Sequence, residues 1–152
     1  MPTITRRLEF DYGHRVLGHE GKCRHLHGHR GVAEITVYAP KLDDLGRVVD
    51  FGVIKKRVGG WIDDNWDHNM ILHPDDPLIT MWKSDEKPIL GVQLFEGPIL
   101  GFFAGKIPYI MPNNANPTAE NLAADLFLKA SNLLSFEKMG NGTSTEVFTG
   151  LK

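Results

Sequence analysis

His27 and His29 stand two residues apart, and side chains two apart on an extended strand leave from the same face. A third imidazole from a neighbouring strand would complete a three-histidine set with one coordination position open, the layout of a catalytic rather than a structural zinc site. The local density is high. Five of the seven histidines lie between positions 14 and 29, and the single cysteine, Cys23, sits among them. A chain that places imidazoles this way needs paired strands, which already favours a sheet-based fold over a helical bundle.

The flanking pattern agrees. Residues 3–12 alternate loosely (Ile4, Arg6, Leu8, Phe10) and predict a first strand. Residues 13–28, rich in Gly, His and charge, read as a functional loop. Val32, Ile35, Val37 and Tyr38 predict a second strand over 30–39, ended by Pro40. Asp50 reads as a helix N-cap before an apolar face of Ile54, Val58, Trp61 and Ile62, with Gly59 and Gly60 weakening that helix. A second helix starts near Asn116-Pro117-Thr118, capped by Asn116 with Pro117 in the first turn or by Thr118. Its apolar face holds Leu122, Leu126, Ala130, Leu133 and Leu134. A glycine-rich turn at 140–142 leads to a last strand over Thr143 to Thr149. Between the helices, roughly residues 75–112 read as a β-hairpin or lid-like excursion. The class is α+β, in a single domain over 1–152.

Composition excludes several functions. The formal net charge of −2 gives no electrostatic reason to expect nucleic acid or an anionic membrane as partner. No apolar run is long enough to span a bilayer. The first residues carry Arg6, Arg7 and Glu9 in place of a signal peptide's apolar stretch. One cysteine cannot form an intrachain disulfide, which fits a cytoplasmic protein.

Several motifs then occur in one order: Phe10-x-x-x-His14, Cys23-x-x-x-His27-Gly28-His29, Val49-Asp50-Phe51, Asp67-His68, Asn116-Pro117-Thr118-x-Glu120-Asn121 and Glu146. Together they resemble the 6-pyruvoyltetrahydropterin synthase and 6-carboxytetrahydropterin synthase family across almost the whole chain. The resemblance implies the tunnelling fold, with two helices packed on an antiparallel sheet. It also implies subunits joined into a ring, usually a hexamer of two stacked trimers, with sites at subunit interfaces. Zn²⁺ would be held by His14, His27 and His29. Cys23 would be the base, His68 a proton relay oriented by Asp67, and Glu146 the carboxylate that grips the pterin. The substrate would be 7,8-dihydroneopterin triphosphate. The short Cys-x-x-x-His-Gly-His spacing resembles the bacterial branch, which makes 6-carboxy-5,6,7,8-tetrahydropterin for 7-deazapurine (queuosine-type) synthesis; the alternative is the 6-pyruvoyl product or another pterin side-chain lyase.

Each residue also has a plainer reading. A lone cysteine is ordinarily a small buried apolar group, although Lys22, Arg24 and His25 beside Cys23 favour its thiolate. His25 shares the parity of His27 and His29, but the resemblance places no ligand there. His19 reads as solvated and Glu120 as a first-turn helix residue. Lys22, Arg24 and Arg30 are candidates for holding the triphosphate. Three departures from the family pattern stand out: Arg30-Gly31 after His29, Val147 after Glu146, and the length of the 75–112 segment. The competing classes are a zinc hydrolase unrelated to pterins and a non-catalytic zinc- or pterin-binding module.

Overall fold

Strand β1 (Thr3–His14) and strand β2 (His27–Tyr38) pair antiparallel over their whole length, from Thr3 opposite Tyr38 to His14 opposite His27. This pairing is the spine of the computed structural model, which describes residues 1–79, 107–135 and 146–151, the last stretch as backbone. Both strands run further than the alternation predicts. Gly13-His14 and His27-Gly28 belong to the ladder, so the connecting loop is shorter than the sequence indicates. Glycine has low strand propensity, and at Gly13 its bare Cα leaves room for the end of the Met70 side chain, whose sulfur would lie 2.5 Å from a Cβ there.

The period of two sorts the residues cleanly. Leu8 and Phe10 of β1 and Ala33, Ile35 and Val37 of β2 are buried on one face. The other face carries the Thr5–Thr36 hydroxyl pair and the ion pairs of Arg30 with Asp11 and Glu9. The apolar row ends in imidazoles: His14 continues Leu8 and Phe10, and His29 and His27 continue Ala33 and Gly31. Gly31 sits in that row because Phe10, its cross-strand partner, lays its ring over it. A Cβ at Gly31 would meet the ring at 2.5 Å, and Phe10 is itself packed against Tyr12 and Trp66. Gly31→Ala is therefore expected to destabilise the protein by about 1–3 kcal/mol, the usual cost of overpacking, with an unchanged m-value in urea. A loss under about 0.5 kcal/mol would show that the ring can move aside.

Helix α1 covers this face over residues 51–65. It is α-helical at Phe51–Ile54, π-helical at Lys55–Gly59 and α-helical again at Gly60–Asn65. Asp50 caps it by accepting from the Gly52 N–H at 2.7 Å. Ile54, Val58, Ile62 and, just beyond the helix, Trp66 recur every fourth residue and are buried. The glycine pair does not end the helix. Gly59 is buried where the π-helical turn packs against β1, and a Cβ there would make only ordinary contact with the Leu8 side chain, at 3.5 Å. Helix α2 (Ala119–Leu133) buries Leu122, Leu126 and Ala130, and Leu134 follows them. Of the two possible caps, the structure uses Thr118, whose hydroxyl accepts from the Asn121 N–H.

Three further strands complete a sheet of order β4-β3-β1-β2-β5. Strand β5 (Glu146–Leu151) pairs antiparallel with β2, so the three long strands are antiparallel as expected. Strands β3 (Asn69–Leu72) and β4 (Tyr109–Ile110) add in parallel register at the other edge. The buried Asp125 of α2 accepts from the Tyr109 hydroxyl at 2.6 Å and ties that edge to the helix layer. Most of the 75–112 excursion and the 140–142 turn lie outside the described residues. No helix among the described residues is long and apolar enough to cross a membrane.

Candidate metal centre

The β1–β2 register brings the three predicted imidazoles together. His14 is directly opposite His27, and His29 follows two residues on, on the same face. One ring nitrogen of each lies within 4.8 Å of the others, and the rings are steeply inclined, with centroids 4.5–5.0 Å apart. Exposure grades across the set: His14 is buried, His27 half-buried and His29 exposed.

The hydrogen bonds fix the tautomers. His14 Nδ1 is 2.6 Å from the Pro117 carbonyl, and His27 Nδ1 is 2.7 Å from the His25 carbonyl. A carbonyl oxygen only accepts, so both Nδ1 atoms carry the proton and both Nε2 atoms present lone pairs. Those Nε2 atoms face each other at 3.0 Å. Two lone pairs at that distance repel unless a cation stands beside them. Zinc–nitrogen bonds of about 2.0–2.1 Å in tetrahedral geometry would set ligand nitrogens roughly 3.3 Å apart, close to this spacing. The donor set therefore fits a borderline divalent metal, and each Nδ1 partner is the outer acceptor such a ligand needs. Burial lowers the His14 pKa, opposed by the Pro117 hydrogen bond and assisted by the charges of His27 and His29. His25 contributes its backbone carbonyl to this arrangement, while its ring accepts from Arg24 Nε.

The second predicted constellation forms beside it. Asp67 Oδ2 accepts from His68 Nδ1 at 2.7 Å, and Asp67 Oδ1 accepts from the Asp11 N–H at 2.9 Å. The His68 N–H donates to the Asp11 carbonyl at 2.6 Å. His68 holds a positive φ of 51°, a conformation that costs a non-glycine residue free energy and is met at functional sites. Its imidazole is largely exposed, with Nε2 available to solvent or substrate. His68, His27 and His29 line one open cleft of about 760 Å³, with Tyr12, Met70 and Leu78 among its other walls. That volume falls within the range of small-molecule sites.

Other predicted residues are placed differently. Cys23 lies in the 3-10 turn Lys22–Arg24, partly buried, with its carbonyl accepting from the Val16 N–H. Among the described residues no hydrogen bond joins its thiol to His68. Glu146 opens β5 opposite Tyr38; its side chain, like that of Val147, lies outside the description. Arg30 is on the sheet face opposite His29, its guanidinium bonded to both Asp11 oxygens and to Glu9, so it is not directed at the histidines. Glu120 stays in the first turn of α2, its carboxyl pKa lowered by its own backbone N–H and by Thr118. His19 accepts from the Gly21 N–H.

Fold and site together define an α+β protein with a three-imidazole, metal-capable centre beside an Asp–His pair, with His27, His29 and His68 on the wall of one cleft. Residues 3–147 match the family described as 6-pyruvoyl tetrahydropterin synthase, and the chain belongs to that family. It is 46% identical over 126 residues to the 6-carboxy-5,6,7,8-tetrahydropterin synthase of Rickettsia bellii, covering 83% of this chain and 78% of the relative. The protein of the same name from Rickettsia typhi is 47% identical over the same shares. Among solved structures, an uncharacterised protein of Wolinella succinogenes superposes with a TM-score of 0.67 at 24% identity, covering 97% of this chain and 92% of that one. The 6-pyruvoyl tetrahydropterin synthase of Caenorhabditis elegans gives 0.53 at 22% identity, over 98% and 95%. These two likenesses show the fold.

Proposed function

We propose that this protein is a zinc-dependent 6-carboxy-5,6,7,8-tetrahydropterin synthase, a lyase. It would convert 7,8-dihydroneopterin triphosphate and one water into 6-carboxytetrahydropterin, acetaldehyde and triphosphate. The observation that carries the reading is the pair of Nδ1-anchored imidazoles whose bare Nε2 atoms converge with His29, in a chain 46% identical to a relative of that name.

His14, His27 and His29 would hold the metal, and bound zinc supplies Lewis-acid polarisation of the substrate's side-chain oxygens. The remaining work falls to protein groups. The Asp67 carboxylate holds the proton on His68 Nδ1, which leaves Nε2 as the atom that takes up or returns protons. Cys23, beside Lys22, Arg24 and His25, is the base for a carbon-bound hydrogen of the substrate side chain. Glu146 is the bidentate acceptor for the pterin N–H groups. Assembly as a hexamer with sites at subunit interfaces would let a neighbouring subunit supply part of this set. Loss of triphosphate with tautomerisation reduces the ring internally, so no nicotinamide or flavin is required. A protein with one cysteine and such a substrate belongs in the cytoplasm, in 7-deazapurine (queuosine-type) synthesis.

The test is to incubate zinc-loaded protein with 7,8-dihydroneopterin triphosphate and identify products by mass spectrometry, with Cys23→Ala alongside. The expected result is 6-carboxytetrahydropterin plus acetaldehyde, formed about 10²–10⁴-fold more slowly by the variant, the usual contribution of a positioned base. A 6-pyruvoyl product would keep the family and change the branch. No pterin product from metal-loaded protein would overturn the reading.

A further inference from the structure

The Asn116-Pro117-Thr118 segment does more than start a helix. The Pro117 carbonyl is the atom that accepts from His14 Nδ1, across a separation of 103 residues. Pro117 has no N–H of its own, and the donor of the peptide that carries its carbonyl, the Thr118 N–H, is bonded to the Asn116 carbonyl. The anchoring falls to Asn116. Its side-chain oxygen accepts from the Leu17 N–H at 2.8 Å, and its side-chain nitrogen donates to the Leu17 carbonyl at 3.0 Å. Its own carbonyl accepts from the Thr118 N–H at 2.8 Å and from Asn121 Nδ2 at 2.9 Å. The amide thus reads both backbone groups of Leu17, three residues past His14, and fixes the exit of β1 against the entry of α2.

We infer that Asn116 is a positioning residue for the metal centre, acting through the Pro117 carbonyl to hold His14 in its Nε2-ligating tautomer and orientation. The inference rests on the metal reading above. An acceptor on the far nitrogen of a ligating histidine sets the ring's rotation and raises its basicity, and removal of such a partner typically weakens metal binding about 10–100-fold. Asn116 touches neither metal nor substrate, so its effect should appear in metal retention ahead of chemistry.

The test challenges zinc-loaded full-length protein with a chromophoric chelator and compares wild type, Asn116→Ala, Asn116→Ser and Thr118→Ala, with circular dichroism on each. Serine keeps one hydroxyl but cannot span both Leu17 groups, and it serves if the alanine variant fails to fold. Thr118→Ala removes the helix cap and leaves the Asn116 side chain in place. Zinc affinity reduced roughly 10–100-fold in the Asn116 variants, and changed less than about twofold in Thr118→Ala, is the expected result. Folded Asn116 variants with wild-type affinity would overturn the inference. So would a Thr118→Ala variant that loses as much, because general loosening of the α2 entry would then explain both. Wild-type protein that holds no zinc would remove the metal reading itself, and the inference with it.

Discussion

His27→Ala is expected to abolish zinc retention and to lower kcat/KM by about three orders of magnitude or more, while leaving the metal-free protein as stable as wild type or more so. The two halves have opposite signs for one reason. With both Nδ1 protons committed to carbonyls, the Nε2 lone pairs of His14 and His27 oppose each other at 3.0 Å. Without a cation that contact is unfavourable, and deleting one ring relieves it. With zinc it becomes two of three ligand bonds. Metal-ion catalysis is worth several kcal/mol of transition-state stabilisation, and about 4 kcal/mol corresponds to roughly a thousandfold in rate. Zinc at about a hundred times its Kd should stabilise the wild type by about 2.7 kcal/mol and leave His27→Ala unmoved. Thermal melts with zinc and with chelator read this directly; a wild-type midpoint indifferent to zinc would sink the argument. The pH dependence has a definite sign. Burial lowers the His14 pKa. The unfolded imidazole therefore takes up a proton first, and both stability and zinc retention decline as pH falls below about 6.5.

The sequence carries this centre because strand alternation and strand pairing are local rules. Once β1 and β2 are antiparallel with His14 opposite His27, the same-face relation of His27 and His29 completes the set. Both helical faces were legible for the same reason, since Ile54, Val58 and Ile62, and Leu122, Leu126 and Ala130, each repeat every fourth residue. Strand β3 was not legible. Asn69–Leu72 has four residues with no exposed face, so it shows no alternation, and it becomes a strand only by parallel pairing with β1. Strand β4, two residues long, depends in turn on β3. The Pro117 carbonyl escaped because a backbone acceptor has no residue type to signal it. The motif Asn116-Pro117-Thr118 was visible, but it reads equally as a helix start. Arg30-Gly31 stood out only as a departure from the family pattern, and the meaning of Gly31 required the position of the Phe10 ring.

Asp76→Ala is expected to be the most destabilising single change away from the core, at about 3 kcal/mol, the lower end of what breaking a buried ion pair costs. Asp76 has a fully buried side chain and holds Arg15 through two bonds, from Nε at 2.7 Å and from Nη2 at 2.5 Å. Its Oδ1 also accepts from the Leu78 N–H at 2.9 Å, and its carbonyl accepts from the Ile79 N–H. One carboxylate thus joins the residue after His14 to the segment that supplies Leu78 to the cleft wall. Alanine would strand a guanidinium whose side chain is only 22% exposed and orphan a backbone donor as well. For a chain of this size 3 kcal/mol corresponds to a fall of roughly 6–12 °C in Tm at fixed protein concentration. The double variant Arg15→Met/Asp76→Leu should recover much of the loss, because it removes both charges together and leaves neither unpaired. If Asp76→Ala melts within about 1 °C of wild type, the pair is not holding the cleft wall to the metal strand. If the double variant is no better than the single one, the loss belongs to the Leu78 hydrogen bond and not to the stranded charge.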